Sequence, residues 1–219
     1  MSASKEQVVK SVFEGRVVAL ARNFPPDVCL KLAEAYVAGG IRFVEITFNQ
    51  KAPETWKGTA EAIRAIRERF GSDVLAGAGT VLTEEQLTMC IDAGGEFMFS
   101  PNTNVALIRS CVRQGLVAMP GALTPSEAVE AWDAGASFVK IFPASVMGPG
   151  YIKAIKAPLS HIPLIATGGI SPENVADFMR AGCAGVGAGG NLANKEWIAS
   201  GEWGKITDVA RRLVENSRV

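Results

Sequence analysis

The sequence predicts an α/β fold, a (β/α)8 TIM barrel with an extra N-terminal helix, and three observations carry that prediction. One unit recurs: a helical stretch, a glycine stop and a short apolar strand. It runs through Val37-Ala38-Gly39-Gly40, Asp92-Ala93-Gly94-Gly95, Asp133-Ala134-Gly135 and Arg180-Ala181-Gly182. Glycine just past a last helical turn ends helices because it takes the left-handed conformation without steric cost. The strands that follow are apolar without polar alternation, as in a parallel sheet covered on both faces. Two of them each hold one ionisable residue in an apolar run: Phe43-Val44-Glu45-Ile46-Thr47-Phe48 and Phe138-Val139-Lys140-Ile141-Phe142-Pro143. A buried charge is costly unless it is paired, neutralised or used.

Taken in order, a helix near 5–14 precedes the first strand and is expected to cap the barrel bottom. Strands follow near 16–21, 42–48, 74–79, 96–100, 116–119, 137–142, 162–167 and 183–187, each a short apolar run. Helices are predicted near 26–38, 55–70, 83–93, 103–114, 125–134, 150–157, 172–181 and 205–216. Thr83 with Gln86 and Thr124 with Glu127 have capping-box spacing, and Ser171 before Pro172 has the form of a cap followed by proline in the first turn. Eight strands alternating with helices in 219 residues suit a closed barrel. A doubly wound open sheet is the alternative, but it usually has fewer strands, and no nucleotide-binding glycine-rich first turn is present. No linker or low-complexity segment divides residues 1–219, which read as one domain.

Composition narrows the function. The chain is 48% hydrophobic and 20% charged, with a formal net charge of zero, so nothing favours electrostatic binding to nucleic acid or membrane. No apolar stretch is long enough to span a bilayer. Met1-Ser2-Ala3-Ser4-Lys5 lacks a hydrophobic signal core, and the protein reads as cytoplasmic. Cys29, Cys90, Cys111 and Cys183 show no CxxC spacing, and His161 is the one histidine. A zinc site is not expected, and the cysteines read as reduced apolar fillers.

In such barrels chemistry sits at the C-terminal ends of the strands. Glu45, Lys140, Gly77-Ala78-Gly79-Thr80, Ser100-Pro101-Asn102, Pro120-Gly121, Thr167-Gly168-Gly169 and Gly187-Ala188-Gly189-Gly190 fall there, and Arg22 lies just past the first strand. Phe138 and Phe142 share a side of the strand with Lys140. An apolar wall disfavours the ammonium form and frees an amine to attack a carbonyl. Desolvation of Glu45 suits it to proton transfer near neutral pH. A structural Lys140–Glu45 ion pair explains the same pattern. Gly168, Gly169, Gly189 and Gly190 offer bare amides for a phosphate, or are plain turns. His161 falls at the other end of the barrel, and Lys153, Lys156 and Lys195 read as solvated.

Together these segments resemble the class I aldolases that cleave 2-keto-3-deoxy-6-phosphogluconate and 4-hydroxy-2-oxoglutarate. The likeness spans nearly the whole chain, and its most specific parts are Lys140-Ile141-Phe142-Pro143 and Glu45-Ile46-Thr47. The resemblance implies a Schiff base between Lys140 and the C2 carbonyl of pyruvate or a keto acid, with Glu45 moving protons. It implies that Thr80 and Pro101 line the pyruvate pocket, that Phe142 packs on it, that no cofactor or metal is needed, and that the protein is a homotrimer. Many members carry an arginine four residues after the glutamate to hold the substrate carboxylate. Asn49 stands there in this chain, and Arg22 matches the arginine that some relatives place after strand 1. Glu45 to Asn49 and Gly148 to Ala154 also look like the 6-phosphogalactonate branch, whereas Thr167 resembles the gluconate branch. Phosphate-binding relatives often have serine where Gly190 stands, so an unphosphorylated acid such as 4-hydroxy-2-oxoglutarate is an alternative substrate. The rival readings are a phosphate-sugar isomerase or synthase without imine chemistry, and a non-catalytic sugar-acid binding protein.

Overall fold

A computed structural model describes residues 4–219 of the chain. Its strands are β1 (Val17–Arg22), β2 (Phe43–Thr47), β3 (Leu75–Gly79), β4 (Phe97–Phe99), β5 (Val117–Met119), β6 (Gly121–Ala122), β7 (Val139–Ile141), β8 (Leu164–Thr167) and β9 (Gly185–Ala188). They form one parallel sheet in the order β5-β4-β3-β2-β1-β9-β8-β7-β6. Only Pro120 separates β5 from β6, so the two ends of that order are consecutive pieces of one stave and the sheet closes as an eight-stave barrel. β5 pairs with β4 and β6 with β7. Proline has no N–H to give a ladder, which breaks the stave here. Its carbonyl still accepts from the Lys140 amide at 2.8 Å.

The helices are α1 (Lys5–Gly15), α2 (Pro26–Ala38), α3 (Trp56–Phe70), α4 (Glu84–Asp92), α5 (Val105–Arg113), α6 (Pro125–Asp133), α7 (Ala144–Lys156), α8 (Val175–Arg180), α9 (Lys195–Ser200) and α10 (Trp203–Asn216). Two of the three expected caps form: the Thr83 and Thr124 hydroxyls accept from the amides of Gln86 and Glu127, whereas Ser171 caps no helix. Three helices differ from expectation. α7 starts earlier than 150 and bends at Gly148-Pro149, where Gly148 leaves helical geometry. α8 starts later than 172, because the Asn174 side chain accepts from Ser171 N at 2.9 Å and donates to Gly169 O at 2.9 Å, making a turn there. The six-residue α9 was not expected; Asn194 caps it by accepting from the amides of Glu196 and Trp197.

Two apolar layers hold the barrel. The larger lies between staves and helices and includes Tyr36, Ile63, Leu87, Ile155 and Leu213. The other fills the barrel interior with Leu20, Phe43, Phe97, Phe99, Phe138 and Ile165, and Val8 and Val12 of α1 pack onto it from below. Helix α1 therefore closes the bottom, as the sequence implied. Also near that end, Arg67 Nη1 meets Glu96 Oε2 at 2.8 Å and donates to the carbonyls of Gly71 and Val74 at 2.8 and 2.9 Å.

Candidate active site

Lys140 enters the barrel from the middle of β7 and is 4% exposed. Its Nζ lies 5.2 Å from the centre of the Phe99 ring and 5.0 Å from that of Phe142. Burial pulls its pKa below the ordinary lysine value; the Glu45 charge opposes this and the Arg22 charge adds to it. The amine is thus biased toward its neutral, nucleophilic form.

Glu45, on β2, is 1% exposed. Thr47 Oγ1 donates to its Oε1 at 2.5 Å. Burial raises its pKa, against the lowering effects of Lys140, the Thr47 hydrogen bond and Arg22. Space for this carboxylate comes from β3, where a Cβ at Gly79 would overlap it. Among the described residues no ion pair joins Glu45 to Lys140. The two groups act on each other through space, with each held away from the charged state by desolvation.

A cavity of about 320 Å3 opens at the C-terminal ends of β1, β8 and β9 and reaches Lys140. Arg22, Phe142 and Thr167 share its wall with Gly168, Gly169, Gly189 and Gly190. The Thr167 hydroxyl is buried and has no hydrogen-bond partner. Three of the four glycine carbonyls are committed: Gly168 accepts from Ser145 N, Gly169 from Asn174 Nδ2, and Gly189 from the amides of Leu192 and Ala193. The four glycine amides donate into none of the turn and loop hydrogen bonds of the described residues. Positive φ at Gly168 and Gly169, 97° and 73°, sets this orientation, the kind of concavity in which backbone amides gather an anion.

Thr80 and Pro101 end neighbouring strands on the same rim but do not line this cavity. Thr80 holds a left-handed backbone at φ 55°, and its carbonyl accepts from Gln50 Nε2 at 2.7 Å. The buried Gln86 steadies Gln50 through a 3.0 Å hydrogen bond. Asn49 faces a second cavity outside the barrel wall, of about 420 Å3, and its side chain accepts from the Lys51 amide at 3.0 Å.

His161 lines a cavity of about 490 Å3 at the opposite end, with its ring 6.1 Å from that of Trp132. This cavity and a roomier one of about 710 Å3 beside Arg109 and Leu159 both exceed the Lys140 cavity in volume, and neither holds Lys140 or Glu45. Of the lysines read as solvated, Lys195 is exposed as expected, and Lys156 differs. Lys156 is not simply solvated, since its Nζ donates to Ser160 O and Ile162 O at 2.7 and 2.9 Å. Lys195 stands on the wall of the cavity that holds Lys140. Its sequence signal was the Asn194 cap, which fixes where the chain turns back after β9. The four cysteines are free, and burial pushes each thiol up to about 12, which leaves them poor nucleophiles. No cluster of three or more metal-ligating side chains occurs among the described residues.

Residues 8–209 match the family model for KDPG and KHG aldolases. A 2-dehydro-3-deoxy-6-phosphogalactonate aldolase of Escherichia coli (strain K12) is 41% identical over 80% of this chain and 83% of its own. A KDPG aldolase from Legionella pneumophila, whose crystal structure holds pyruvate as a covalent carbinolamine intermediate, superposes with a TM-score of 0.83. It is 28% identical over 94% of this chain and 97% of its own. A chain from a cube-shaped cage designed by fusing symmetric oligomeric domains is 37% identical with a TM-score of 0.82, covering 93% of this chain and 72% of that one.

Proposed function

The chain belongs to the KDPG and KHG aldolase family, and on that premise we propose that it reversibly cleaves a 2-keto-3-deoxy-6-phospho sugar acid through a Schiff base on Lys140. It is an aldolase, a carbon–carbon lyase. The observation that carries the mechanism is a desolvated lysine on the wall of a cavity, with a desolvated carboxylate coupled to it through space.

In this reading the neutral Lys140 Nζ adds to the C2 carbonyl, and the carbinolamine loses water to give an iminium. As the C4 hydroxyl gives up its proton, the C3–C4 bond breaks and its electron pair flows into the iminium. The aldehyde half departs and an enamine remains. Protonation at C3 and hydrolysis release pyruvate and restore the amine. Glu45 accepts and returns these protons, a task suited to a carboxyl whose pKa is raised toward neutrality. Arg22 holds the C1 carboxylate, since the Asn49 side chain is engaged in its own turn. Thr80 and Pro101, which the resemblance places at the pyruvate pocket, stand off this cavity's wall and are given no direct contact. The Thr167 hydroxyl meets the substrate's own hydroxyls, and the amides of Gly168, Gly169, Gly189 and Gly190 receive the phosphate.

The galactonate configuration is favoured by the 41% identical relative together with Arg22 and Asn49. We place the enzyme in the cytoplasm as a homotrimer. Support for assembly comes from the oligomeric-domain cage relative and from the exposed apolar side chains Leu123, Val146 and Met147 near the mouth. A panel of 2-keto-3-deoxy acids, phosphorylated and not, in both C4 configurations, tests the substrate. Highest kcat/KM for the 6-phosphogalactonate compound is expected, and a best substrate that lacks phosphate would overturn the assignment. Light scattering that returns the 23.1 kDa monomer mass would overturn the trimer.

A further inference from the structure

The charges lining the active cavity are one-sided. Arg22, Lys140 and Lys195 stand on its wall and no aspartate or glutamate does, although the whole chain carries a formal net charge of zero. Lys140 is consumed by imine chemistry and Arg22 is assigned to the C1 carboxylate. Lys195 is left without a role, and among the described residues it makes no ion pair. It follows Gly189 and Gly190 closely in the chain and lines the same cavity as the uncommitted glycine amides and Thr167, whose hydroxyl is unpartnered.

The backbone around Lys195 is held in place. Asn191 Nδ2 donates to Ile170 O at 3.1 Å and ties the loop after β9 to the loop after β8. Leu192 and Ala193 both close onto Gly189 O at 2.8 Å, and Asn194 caps the helix that Lys195 begins. The lysine stem thus leaves a braced turn rather than a free loop.

We propose that Lys195 is the specificity-determining cation of this enzyme: its ammonium engages the terminal phosphate of the substrate across the mouth of the glycine amides. The inference rests on the phosphate-cradle reading above and deepens it. Neutral amides orient a phosphate but do not match its charge. A flexible ammonium at the rim supplies that charge while leaving the product free to dissociate, because an exposed pair is only moderately strong. Selection for a phosphorylated over an unphosphorylated acid then falls mainly on Lys195, and on KM rather than kcat, since the contact lies far along the substrate from the bond that breaks.

The test measures kcat/KM for a 2-keto-3-deoxy-6-phospho acid and for its unphosphorylated analogue, in wild type, Lys195→Met, Lys195→Gln and Lys195→Arg. Pyruvate with borohydride labels Lys140 in each variant and reports an intact imine site. The expected result is that Met and Gln each cut the phosphorylated-to-unphosphorylated ratio about tenfold, through KM. Arg keeps most of the preference, and added salt narrows the wild-type preference. If wild type shows a clear preference and both neutral variants retain it in full, the Lys195 assignment is overturned while the glycine cradle stands. If wild type shows no preference, the cradle reading and the Lys195 assignment fall together.

Discussion

Buried charge is handled in opposite ways at the two ends of the barrel. Near the closed end Arg67 and Glu96 touch at 2.8 Å, and two backbone carbonyls take up the same guanidinium nitrogen. At the open end Lys140 and Glu45 are as deeply buried, yet they make no ion pair with each other, and Glu45 is held by the Thr47 hydroxyl. A satisfied pair repays its desolvation in hydrogen bonds and locks the backbone between α3 and β3. A separated pair leaves that cost outstanding, and the cost appears as displaced pKa values. The barrel thus keeps its paired charge where α1 closes it and its unpaired, pKa-shifted charge where the cavity opens.

The sharpest way to break this contrast is at Lys140. Lys140→Met should abolish turnover, by at least about 10⁴-fold, as loss of a covalent nucleophile does. One pyruvyl unit trapped by borohydride should map to Lys140 in wild type and vanish in the variant; labelling elsewhere would reassign the nucleophile. Glu45→Gln keeps the shape but not the proton, and should cost roughly 10²–10⁴ in rate with trapping at Lys140 preserved. Near-wild-type turnover would make Glu45 structural, like Glu96.

Glu96→Gln probes the other end and should do the reverse. It leaves Arg67 half-satisfied and should lower unfolding stability by about 3 kcal/mol in denaturant titration, with kcat per folded molecule unchanged. A drop in kcat would mean that the two ends are coupled. Arg22→Ala should weaken pyruvate binding by about 2 kcal/mol, reduced from a buried pair because Arg22 is exposed, and Asn49→Ala should change it less. Calorimetry showing equal effects would return the carboxylate clamp to Asn49.

The smallest and most diagnostic effect is in pH. In the proposed mechanism the nucleophile is the neutral amine, so imine formation rises as pH rises through the folded-state pKa of Lys140. Burial lowers that pKa, so the rising limb should lie below the ordinary value of 10.5. Between that limb and 10.5 the unfolded chain holds a proton that the folded chain lacks, so the Lys140 contribution to stability grows with pH there and is lost as pH falls. Lys140→Met should remove that slope. A limb at the ordinary lysine value would show that desolvation does not activate the amine.

Much of the barrel was legible because its signals are local. Glycine stops, threonine caps and unbroken apolar runs each depend on a few adjacent residues, and all eight predicted staves are present. Pro120 was visible as a proline, but that it splits one stave between two neighbours depends on strands β4 and β7, which lie far off in sequence. The helix near 172–181 started late because Asn174 preferred to bond back to Ser171 and Gly169, a competition that propensity alone does not rank. Lys140 and Glu45 were legible for another reason: an ionisable residue inside an apolar strand is anomalous wherever the strand goes.

Lys195 was not anomalous in sequence, since a lysine after an asparagine cap reads as a solvated helix start. By itself the sequence determined the stave count, the threonine caps and the two ionisable residues buried in apolar strands, because periodicity, turn chemistry and the cost of burying charge act within one short segment. The tertiary structure alone decided that Lys140 and Glu45 stay apart, that Asn49 turns away while Arg22 faces the cavity, and that Lys195 joins the wall. Those outcomes depend on how strands distant in the chain close into a ring, and a separation in space between residues far apart in sequence is not encoded at any one position.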